Sequence, residues 1–284
     1  MIDARTRIVC LLGNPARHSL SPQMHNAAFR ALGLNMAYTA FEVDERMLGG
    51  AVEGIRAMGF AGANVTIPFK EKIIPFLDEV DGKAERIGAV NTIQNKKGRL
   101  VGFNTDWKGA VTALKEKTEL KGKAVAVCGV GGAARAICFG LLWEKVSGLA
   151  IFDVEKGKAA GLAEKLEKEG NAEINRAECS EDFFRAVKGC DILVNASPVG
   201  MHPLEKNMPV PKQFLGKGLV VFDIVYNPPE TRLLREAREK GCIVVSGERM
   251  LLFQGAESFR IWTGKKAQIE TMQKALAEGR RKND

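Results

Sequence analysis

Apolar and polar positions divide the first hundred residues into alternating strand-like and helix-like segments. Short apolar runs predict strands at residues 7–12, 37–43, 62–65, 89–94 and 100–102. Helices are predicted between them, near residues 22–32, 44–58 and 68–76. Such alternation predicts βαβ units and a largely parallel sheet.

A second alternating series begins after Lys121-Gly122. Its strands are predicted at residues 124–128, 149–153, 191–196, 219–224 and 243–245, and its helices near 133–143, 157–169, 183–188 and 231–240. This series alone is a complete doubly wound unit. From Ser246 onward the pattern predicts two helices and no further strand. The simplest interpretation is two α/β domains with a boundary in a helix near residues 106–114.

Composition narrows the class of protein. The 284 residues are 45% hydrophobic and 27% charged, as in ordinary globular proteins. No apolar run is long enough for a membrane span, and the first residues lack a signal peptide, so a cytoplasmic protein is expected. The net charge of +8 suits small anionic ligands. Nucleic-acid binding is not expected, since basic residues without interleaved aromatics give no such signature. Scattered cysteines and three histidines predict no metal site.

A glycine-rich loop after the 124–128 strand fits the dinucleotide-binding pattern G-x-G-x-x-G/A. Gly129 permits the tight turn from strand to helix, and Gly131 lets the backbone approach a pyrophosphate. Asp153 ends the next strand, where an acid accepts hydrogen bonds from the ribose hydroxyls of NAD. The alternative is a glycine turn that binds nothing. The residues expected to contact the cofactor here are Gly129, Val130, Gly131, Gly132, Ala133 and Asp153.

Two serines follow the first strand. Ser19 and Ser21 are two residues apart, so in an extended segment both hydroxyls point the same way, towards one ligand. Ser21-Pro22 is also typical of a helix N-cap followed by proline at the first helical position. Both interpretations allow a substrate carboxylate to bind at the helix N-terminus.

Other polar groups lie beside predicted strands. Pro68 ends the third strand and places Thr66 and Lys70 at its carboxyl end, where ligands of open α/β sheets gather. Lys70 is otherwise a surface lysine in the first turn of a helix. Asn91 and Asp106 each lie in a short polar group that simple turn chemistry also explains, and Asp106 is a possible N-cap.

Eight ordered motifs together resemble the shikimate/quinate dehydrogenase family across nearly the whole chain. They are GNPARHSLSPQMHN, NVTIPFK, GAVNTI, GFNTD, GVGGAARA, NASPVGM, DIVYNP and GERMLLFQGAESF. The resemblance implies a discontinuous substrate-binding domain, residues 1–106 completed by helices in 246–284, and a Rossmann-type domain at residues 107–245. It implies reversible hydride transfer between shikimate and 3-dehydroshikimate in the shikimate pathway of aromatic amino acid biosynthesis.

The resemblance also assigns roles to individual residues. Lys70 and Asp106 would form the catalytic pair, and the sequence does not say which of them takes the proton. Gly247 and Met250 would lie against the nicotinamide. The residues that would bind the substrate are Ser19, Ser21, Thr66, Lys70, Asn91, Asp106, Tyr226 and Gln254.

The chain departs from the family at the end of the second Rossmann strand. Family members that use NADP commonly carry Asn-Arg-Thr there, and the arginine pairs with the 2′-phosphate. Asp153 replaces that asparagine and Val154 the arginine, which predicts a preference for NAD, with NADP still possible. Lys156 and Lys158 would compensate only as mobile point charges.

Alternative functions stay open at this point. NAD use is compatible with an NAD-dependent quinate/shikimate dehydrogenase of catabolic role. A different class is a non-catalytic dinucleotide-binding sensor, which gives no reason to keep Lys70, Asp106 and both serines together. The sequence does not distinguish a monomer from a homodimer.

Overall fold

The computed structural model describes residues 2–281, apart from the side chain of Lys156, and the chain folds into two compact units. Unit 1 comprises Met1–Thr105 and Leu252–Asp284, and unit 2 comprises Asp106–Leu251. Each unit contains a six-stranded sheet with helices, so the predicted α/β class is confirmed. The sequence-based division placed its boundaries after residue 106 and before residue 246.

The strands and helices are numbered in chain order. The strands are β1 (Arg7–Gly13), β2 (Met36–Glu42), β3 (Gly62–Val65), β4 (Glu79–Val80), β5 (Thr92–Lys96), β6 (Arg99–Phe103), β7 (Ala124–Cys128), β8 (Gly148–Phe152), β9 (Glu173–Arg176), β10 (Ile192–Asn195), β11 (Val220–Asp223) and β12 (Ile243–Ser246). The helices are α1 (Ser21–Ala31), α2 (Leu48–Ala57), α3 (Gly82–Ile87), α4 (Asp106–Lys115), α5 (Gly132–Trp143), α6 (Lys156–Glu167), α7 (Ser180–Gly189), α8 (Arg232–Glu239), α9 (Gly247–Thr263) and α10 (Ile269–Arg280).

The sheet of unit 1 is mixed, with strand order β2-β1-β3-β5-β6-β4. Strand β1 is parallel to β2 and β3, but β5 is antiparallel to both of its neighbours. The other five strands therefore run in one direction, and the expectation of a largely parallel sheet is confirmed with β5 as the exception. Strands β5 and β6 form a hairpin closed by Lys97-Gly98, whose positive φ angles of 55° and 92° suit a two-residue hairpin turn.

The helix predicted near residues 68–76 is also absent. The segment is a series of turns that ends in a 3₁₀ turn at Ile74–Phe76. Pro75 lacks a backbone N–H and its ring crowds the preceding turn, which disfavours an α-helix. Phe69 and Ile73 are fully buried and anchor the turns on the core.

Three short elements of the structure were not predicted from the sequence. Strand β4 has two residues and α3 has six, so neither gives a clear periodic pattern. Strand β9 is mostly exposed and has the sequence EINR, because it lies at the edge of its sheet. Short or edge elements bury too little apolar surface to produce a periodic pattern of apolar residues in the sequence.

The sheet of unit 2 is entirely parallel, with strand order β12-β11-β10-β7-β8-β9. Its central strands β10 and β11 are buried throughout, as expected for a sheet covered by helices on both faces. The carboxyl ends of the parallel strands lie at one edge, and the loops that follow β7 and β8 are therefore neighbours.

The two C-terminal helices complete unit 1, and among the described residues no strand follows Ser246. Helix α9 begins in unit 2, and its part from Leu252 onward belongs to unit 1. A Cβ atom at Gly255 would overlap the methyl group of Met24, so glycine lets α9 approach α1 closely. Helix α10 also packs against α1, and a Cβ atom at Gly279 would lie 3.3 Å from Gln23 and Leu20 at the N-terminal end of α1.

A buried histidine of α1 belongs to an aromatic cluster. His25 stacks on Tyr38 with ring centroids 4.6 Å apart, and Trp262 meets it edge-on at 5.2 Å. Neither ring nitrogen of His25 has a hydrogen-bond partner among the described residues. Burial lowers the pKa of His25 to about 3, because the charged imidazolium is poorly solvated there.

This histidine predicts an acid-sensitive fold. Below pH 6.5 this histidine is protonated in the unfolded chain but stays neutral in the folded chain. The free energy of unfolding therefore falls by about 1.4 kcal/mol per pH unit towards pH 3. His25→Leu removes this cost. In urea unfolding at pH 4.5 to 9, the free energy of unfolding of the variant is expected to rise relative to that of wild type as the pH falls below 6.5. The difference between the two proteins should stay constant between pH 7.5 and 9, and parallel curves over the whole range would contradict the interpretation.

Candidate active site

The two serines lie at the N-terminus of α1. Ser21 is the first helical residue, and Leu20, in a helical conformation, is the N-cap without a side-chain hydrogen bond. Both sequence expectations, an extended segment and an N-cap at Ser21, are therefore wrong. Ser19 Oγ accepts the backbone N–H of Ser21 at 3.2 Å, so the hydrogen of the Ser19 hydroxyl remains available to an anion at the helix end.

Thr66 and Lys70 lie in the turns after β3. The N–H of Thr66 donates to Leu12 O on β1 at 2.9 Å, and a Cβ atom at Gly13 would overlap the Thr66 methyl group. Glycine at the end of β1 therefore makes room for Thr66. Lys70 is half-buried, and its carbonyl accepts the N–H of Val90 at 2.7 Å. This bond ties the Lys70 turn to the residue before Asn91.

Asn91, Thr105 and Gln254 are brought together from distant parts of the sequence. The N–H of Thr105 donates to Asn91 Oδ1 at 2.7 Å, which fixes the orientation of the amide. Asn91 Nδ2 then donates to Thr105 Oγ1 at 3.0 Å and to Gln254 Oε1 at 3.4 Å. Asn91 and Gln254 are both buried. The structure thus brings two of the predicted substrate-binding side chains into contact within unit 1.

A buried polar layer supports this group, and the sequence analysis did not identify it. Asn64 Nδ2 donates to Asn91 O at 3.0 Å, to Thr92 Oγ1 at 3.1 Å and to Ser258 Oγ at 3.2 Å. Asn64 Oδ1 accepts the Tyr38 hydroxyl at 2.9 Å. Thr92 directly follows Asn91, and Asn64 precedes Thr66 by two positions, so a polar residue in an otherwise apolar strand was a signal available in the sequence.

Asp106 and Tyr226 lie in unit 2. Asp106 is buried and is the first residue of α4, so the alternative that it is the N-cap is wrong, as it is for Ser21. Tyr226 is half-buried in the loop after β11, and desolvation raises its pKa.

A buried carboxylate holds the loop of Tyr226. Asp223 accepts hydrogen bonds from Asn195 Nδ2 at 2.9 Å, from the N–H of Val225 at 3.1 Å and from the Thr231 hydroxyl at 2.6 Å. Burial outweighs these bonds and raises the pKa of Asp223 to about 6. This residue was missed, because one acid at a strand end has no distinctive spacing.

In the glycine loop of unit 2, the backbone conformation and packing require glycine at 129 but not at 131. Gly129 has a φ of 103°, and a Cβ atom there would lie 2.6 Å from Ala196 O. Gly131 is the N-cap of α5 with ordinary angles, φ −66° and ψ 178°, and a Cβ atom there would meet nothing within 4 Å. The protein itself does not need glycine at 131, and the open space above it fits the close approach of a pyrophosphate.

The other residues of the loop are also placed as a bound dinucleotide requires. Gly132 and Ala133 form the first turn of α5, whose free N–H groups and positive dipole end attract phosphate. The N–H of Val130 donates to Asp153 Oδ2 at 3.1 Å, and the N–H of Glu155 donates to Oδ1 at 2.9 Å. Two backbone donors therefore fix the Asp153 carboxylate beside the loop. These residues fit a dinucleotide.

Gly247 and Met250 lie in the first turns of α9. A Cβ atom at Gly247 would overlap the carbonyl of Ile224, so packing within unit 2 already requires glycine there. Met250 is buried. Their predicted place beside the nicotinamide stays a prediction.

Among residues 2–281, none of the helices has the length and apolar character of a membrane-spanning segment. No group of three or more His, Cys, Asp or Glu side chains within residues 2–281 is arranged to hold a metal ion. The absence of a metal cofactor stays a prediction.

Gly131→Ala is expected to separate ligand binding from folding. The new methyl group meets no protein atom, so the cost in unfolding free energy should stay near ~1 kcal/mol, as for Ala at an N-cap. The methyl group would occupy the space above the loop, and the Kd for NADH and NADPH should rise at least about tenfold. Calorimetric titration with both nucleotides checks this.

Gly129→Ala is the matched control, because its methyl group overlaps backbone. It should lower the thermal stability of the protein measurably. Unchanged nucleotide affinity in a well-folded Gly131→Ala protein would remove the loop from the binding site.

Comparisons with known proteins agree with this geometry. Two family models match, "Shikimate dehydrogenase substrate binding domain" at residues 11–93 and "Shikimate 5'-dehydrogenase C-terminal domain" at residues 247–277. The shikimate dehydrogenase (NADP(+)) of Methanopyrus kandleri is 44% identical over 281 residues, which cover 98% of this chain and 97% of the relative.

Solved structures give the same result. A shikimate dehydrogenase in complex with NADP+ is 40% identical with a TM-score of 0.90, covering 98% of this chain and 97% of its own. The shikimate 5-dehydrogenase from Listeria monocytogenes in complex with shikimate and NAD is 39% identical with a TM-score of 0.90, covering 97% and 98%. The predicted family is confirmed: the chain belongs to the shikimate dehydrogenase family of oxidoreductases.

Proposed function

We propose that this protein is a shikimate dehydrogenase that reversibly transfers hydride between shikimate and NAD(P), with 3-dehydroshikimate as the ketone. One observation carries the proposal. The amides of Asn91 and Gln254, 163 positions apart in the chain, lie within hydrogen-bond distance at 3.4 Å, as a common role in holding substrate hydroxyls requires. The Methanopyrus kandleri relative, named a shikimate dehydrogenase, supports the same activity.

The substrate would be held by its carboxylate and its hydroxyls. Ser19 and Ser21, at the positive end of α1, would bind the carboxylate. The ring hydroxyls would bind to Thr66, Asn91, Asp106 and Gln254, with Tyr226 nearby. Directional bonds to several hydroxyls orient the ring, which the transfer of hydride from one carbon requires.

Lys70 and Asp106 are the proposed catalytic pair. The nicotinamide accepts the hydride when it is bound. The protein must remove the hydroxyl proton of shikimate in oxidation and return it in reduction. One member of the pair would take this proton from the reacting hydroxyl and return it in the reverse reaction. General acid–base catalysis of this kind raises the rate about 10²–10⁴-fold.

The activity test uses purified protein and the absorbance band of the reduced nicotinamide. Shikimate and quinate are each supplied with NAD and with NADP. Reduction with shikimate supports the proposal. Turnover of quinate in preference to shikimate would favour the catabolic alternative instead. Nucleotide binding without turnover of either substrate would favour the non-catalytic sensor.

We further propose that NAD is preferred over NADP. The Asp153 carboxylate, fixed by the N–H groups of Val130 and Glu155, would repel a 2′-phosphate and accept from a free ribose diol. Lys158 pairs with Glu155 at 2.6 Å, so its charge is already partly offset. The curated Methanopyrus kandleri relative carries NADP(+) in its name, whereas the Listeria monocytogenes structure contains NAD. A tenfold higher kcat/KM with NADP would overturn the preference.

The double substitution Asp153→Asn with Val154→Arg is expected to shift preference towards NADP. It removes the repelling charge and supplies a guanidinium for the phosphate. Val154 is 86% exposed, so the change should not disturb packing. We expect the NADP-to-NAD ratio of kcat/KM to rise about 10- to 100-fold. Asp153→Asn with Val154→Gln is the control of similar side-chain length, and an equal shift in that control would show that the arginine has no role.

Lys70→Ala is expected to lower kcat about 10²–10⁴-fold with a modest change in KM for shikimate, because proton transfer and not ring binding is lost. Steady-state kinetics with shikimate check this. Lys72→Ala is the matched control, since Lys72 lies in the same turn but pairs with Glu45. A near-normal kcat in Lys70→Ala would remove Lys70 from the mechanism.

The predicted cytoplasmic location and the choice between monomer and homodimer stay predictions.

A further inference from the structure

The segment between β1 and α1, residues 14–20, carries Ser19 to the end of α1 where the substrate carboxylate is proposed to bind. These seven residues form turns and bends and contain neither helix nor strand. The N–H of Asn14 donates to Ile67 O at 3.0 Å, which fixes the start of the segment. The position of Ser19 therefore depends on individual hydrogen bonds and not on a regular element.

Glu42, the last residue of β2, holds the middle of this segment. Its Oε1 accepts the backbone N–H of Ala16 at 3.0 Å and that of Arg17 at 3.2 Å, and its Oε2 accepts Arg17 Nε at 2.7 Å. An ionised carboxylate only accepts hydrogen bonds, so all three contacts favour the charged form. The bond from the Ala16 N–H, followed by those from Arg17, holds the pKa of Glu42 below its usual value.

Ala16 connects Glu42 to the two serines. Its N–H donates to Glu42, and its carbonyl accepts the N–H of Ser19 at 3.1 Å. Ser19 Oγ in turn accepts the N–H of Ser21 at 3.2 Å. A continuous series of hydrogen bonds therefore runs from the Glu42 carboxylate to the first residue of α1.

The ion pair with Arg17 is separate from this series. The Arg17 side chain is 82% exposed, whereas that of Glu42 is 28% exposed. Exposed ion pairs contribute little to stability, so the guanidinium mainly offsets the negative charge of Glu42 close to a site for an anion. The two bonds to backbone N–H groups distinguish Glu42 from an ordinary member of a surface ion pair.

We propose that Glu42 is a positioning residue for Ser19 and Ser21, the serines proposed to bind the substrate carboxylate. By holding the N–H groups of Ala16 and Arg17, it keeps the segment in the conformation that presents the Ser19 hydroxyl to the anion. Without Glu42 those N–H groups bond to water, and the segment must be ordered when the substrate binds. This inference rests on the proposed function and adds to it a residue outside the predicted site.

The first test is Glu42→Ala, measured with shikimate and the preferred nucleotide. We expect KM for shikimate to rise about tenfold while kcat and KM for the nucleotide stay within about twofold, because the ordering cost weakens ground-state and transition-state binding equally. Glu42→Gln keeps an oxygen of the same reach for both N–H groups, so its KM should stay within about threefold of wild type. A KM for Glu42→Gln as high as that for Glu42→Ala, or a fall in kcat that equals the rise in KM, would overturn the proposal.

Two matched controls test whether the backbone bonds are responsible. Arg17→Ala removes the ion pair but leaves both backbone bonds of Glu42 in place. Asp44→Ala removes a nearby carboxylate that accepts a backbone N–H and a guanidinium N–H, both from Arg46 at 2.9 Å. Each control should change KM for shikimate less than about twofold. A rise in either control as large as in Glu42→Ala would assign the effect to surface charge and reject the role of Glu42.

A substrate without the negative charge shows which part of the site Glu42 serves. Shikimate methyl ester keeps the ring hydroxyls, and its affinity is measured as KM or, if it is not oxidised, as its inhibition constant against shikimate. The preference of wild type for shikimate over the ester should shrink about tenfold in Glu42→Ala, because only the carboxylate depends on the two serines. An equal loss of affinity for both compounds would mean that Glu42 supports the whole unit and would contradict the proposal.

The proposed function and this inference fail in different ways. A wild-type protein that oxidises shikimate, with Glu42→Ala showing unchanged KM, leaves the function standing and overturns the role of Glu42. A wild-type protein that oxidises shikimate with neither nucleotide overturns both.

Discussion

The hydrogen bonding of one buried amide, Asn64, constrains the arrangement of unit 1. Its nitrogen donates to β5 and to Ser258 on α9, and its oxygen accepts from Tyr38 on β2. A buried amide left without partners costs about 1–3 kcal/mol, so the arrangement in which all of these elements meet around it is favoured. Because Ser258 is 194 positions later in the chain, the C-terminal helices must return to the first sheet.

The hydrogen bond from Tyr38 to Asn64 also constrains the aromatic side chains that pack around Tyr38. Tyr38 can donate to Asn64 only if its ring is held in place, and His25 stacks on that ring while Trp262 packs edge-on against His25. The Trp262 N–H is satisfied by Ile93 O on β5 at 2.8 Å. Apolar packing on one side and hydrogen bonds on the other therefore fix the same strands. Because Asn91 directly precedes Thr92, the first residue of β5, this core also fixes the position of a side chain proposed to bind substrate.

The sequence could predict what depends on local pattern and could not predict what depends on the return of α9. The Gly129 loop was identifiable because a buried strand, a tight turn and a helix follow one another directly, and Gly129 has the positive φ that the turn needs. Ser258 and His25 had no such signal, since their partners lie far away in sequence. Pro75 was a local signal that was overlooked, and it replaced the expected helix with turns.

The cofactor site and the substrate site therefore differ in how they tolerate change. In unit 2 the Asp153 carboxylate is held by two backbone N–H groups, which every residue except proline supplies, so the side chain at 153 can change with little effect on the loop. In unit 1 each polar side chain is both a support and a partner of the next, and losing one leaves others buried without partners. On this reasoning the proposed cofactor preference can vary at residues 153 and 154 on a constant fold, whereas the side chains proposed to bind the substrate ring would have to change together.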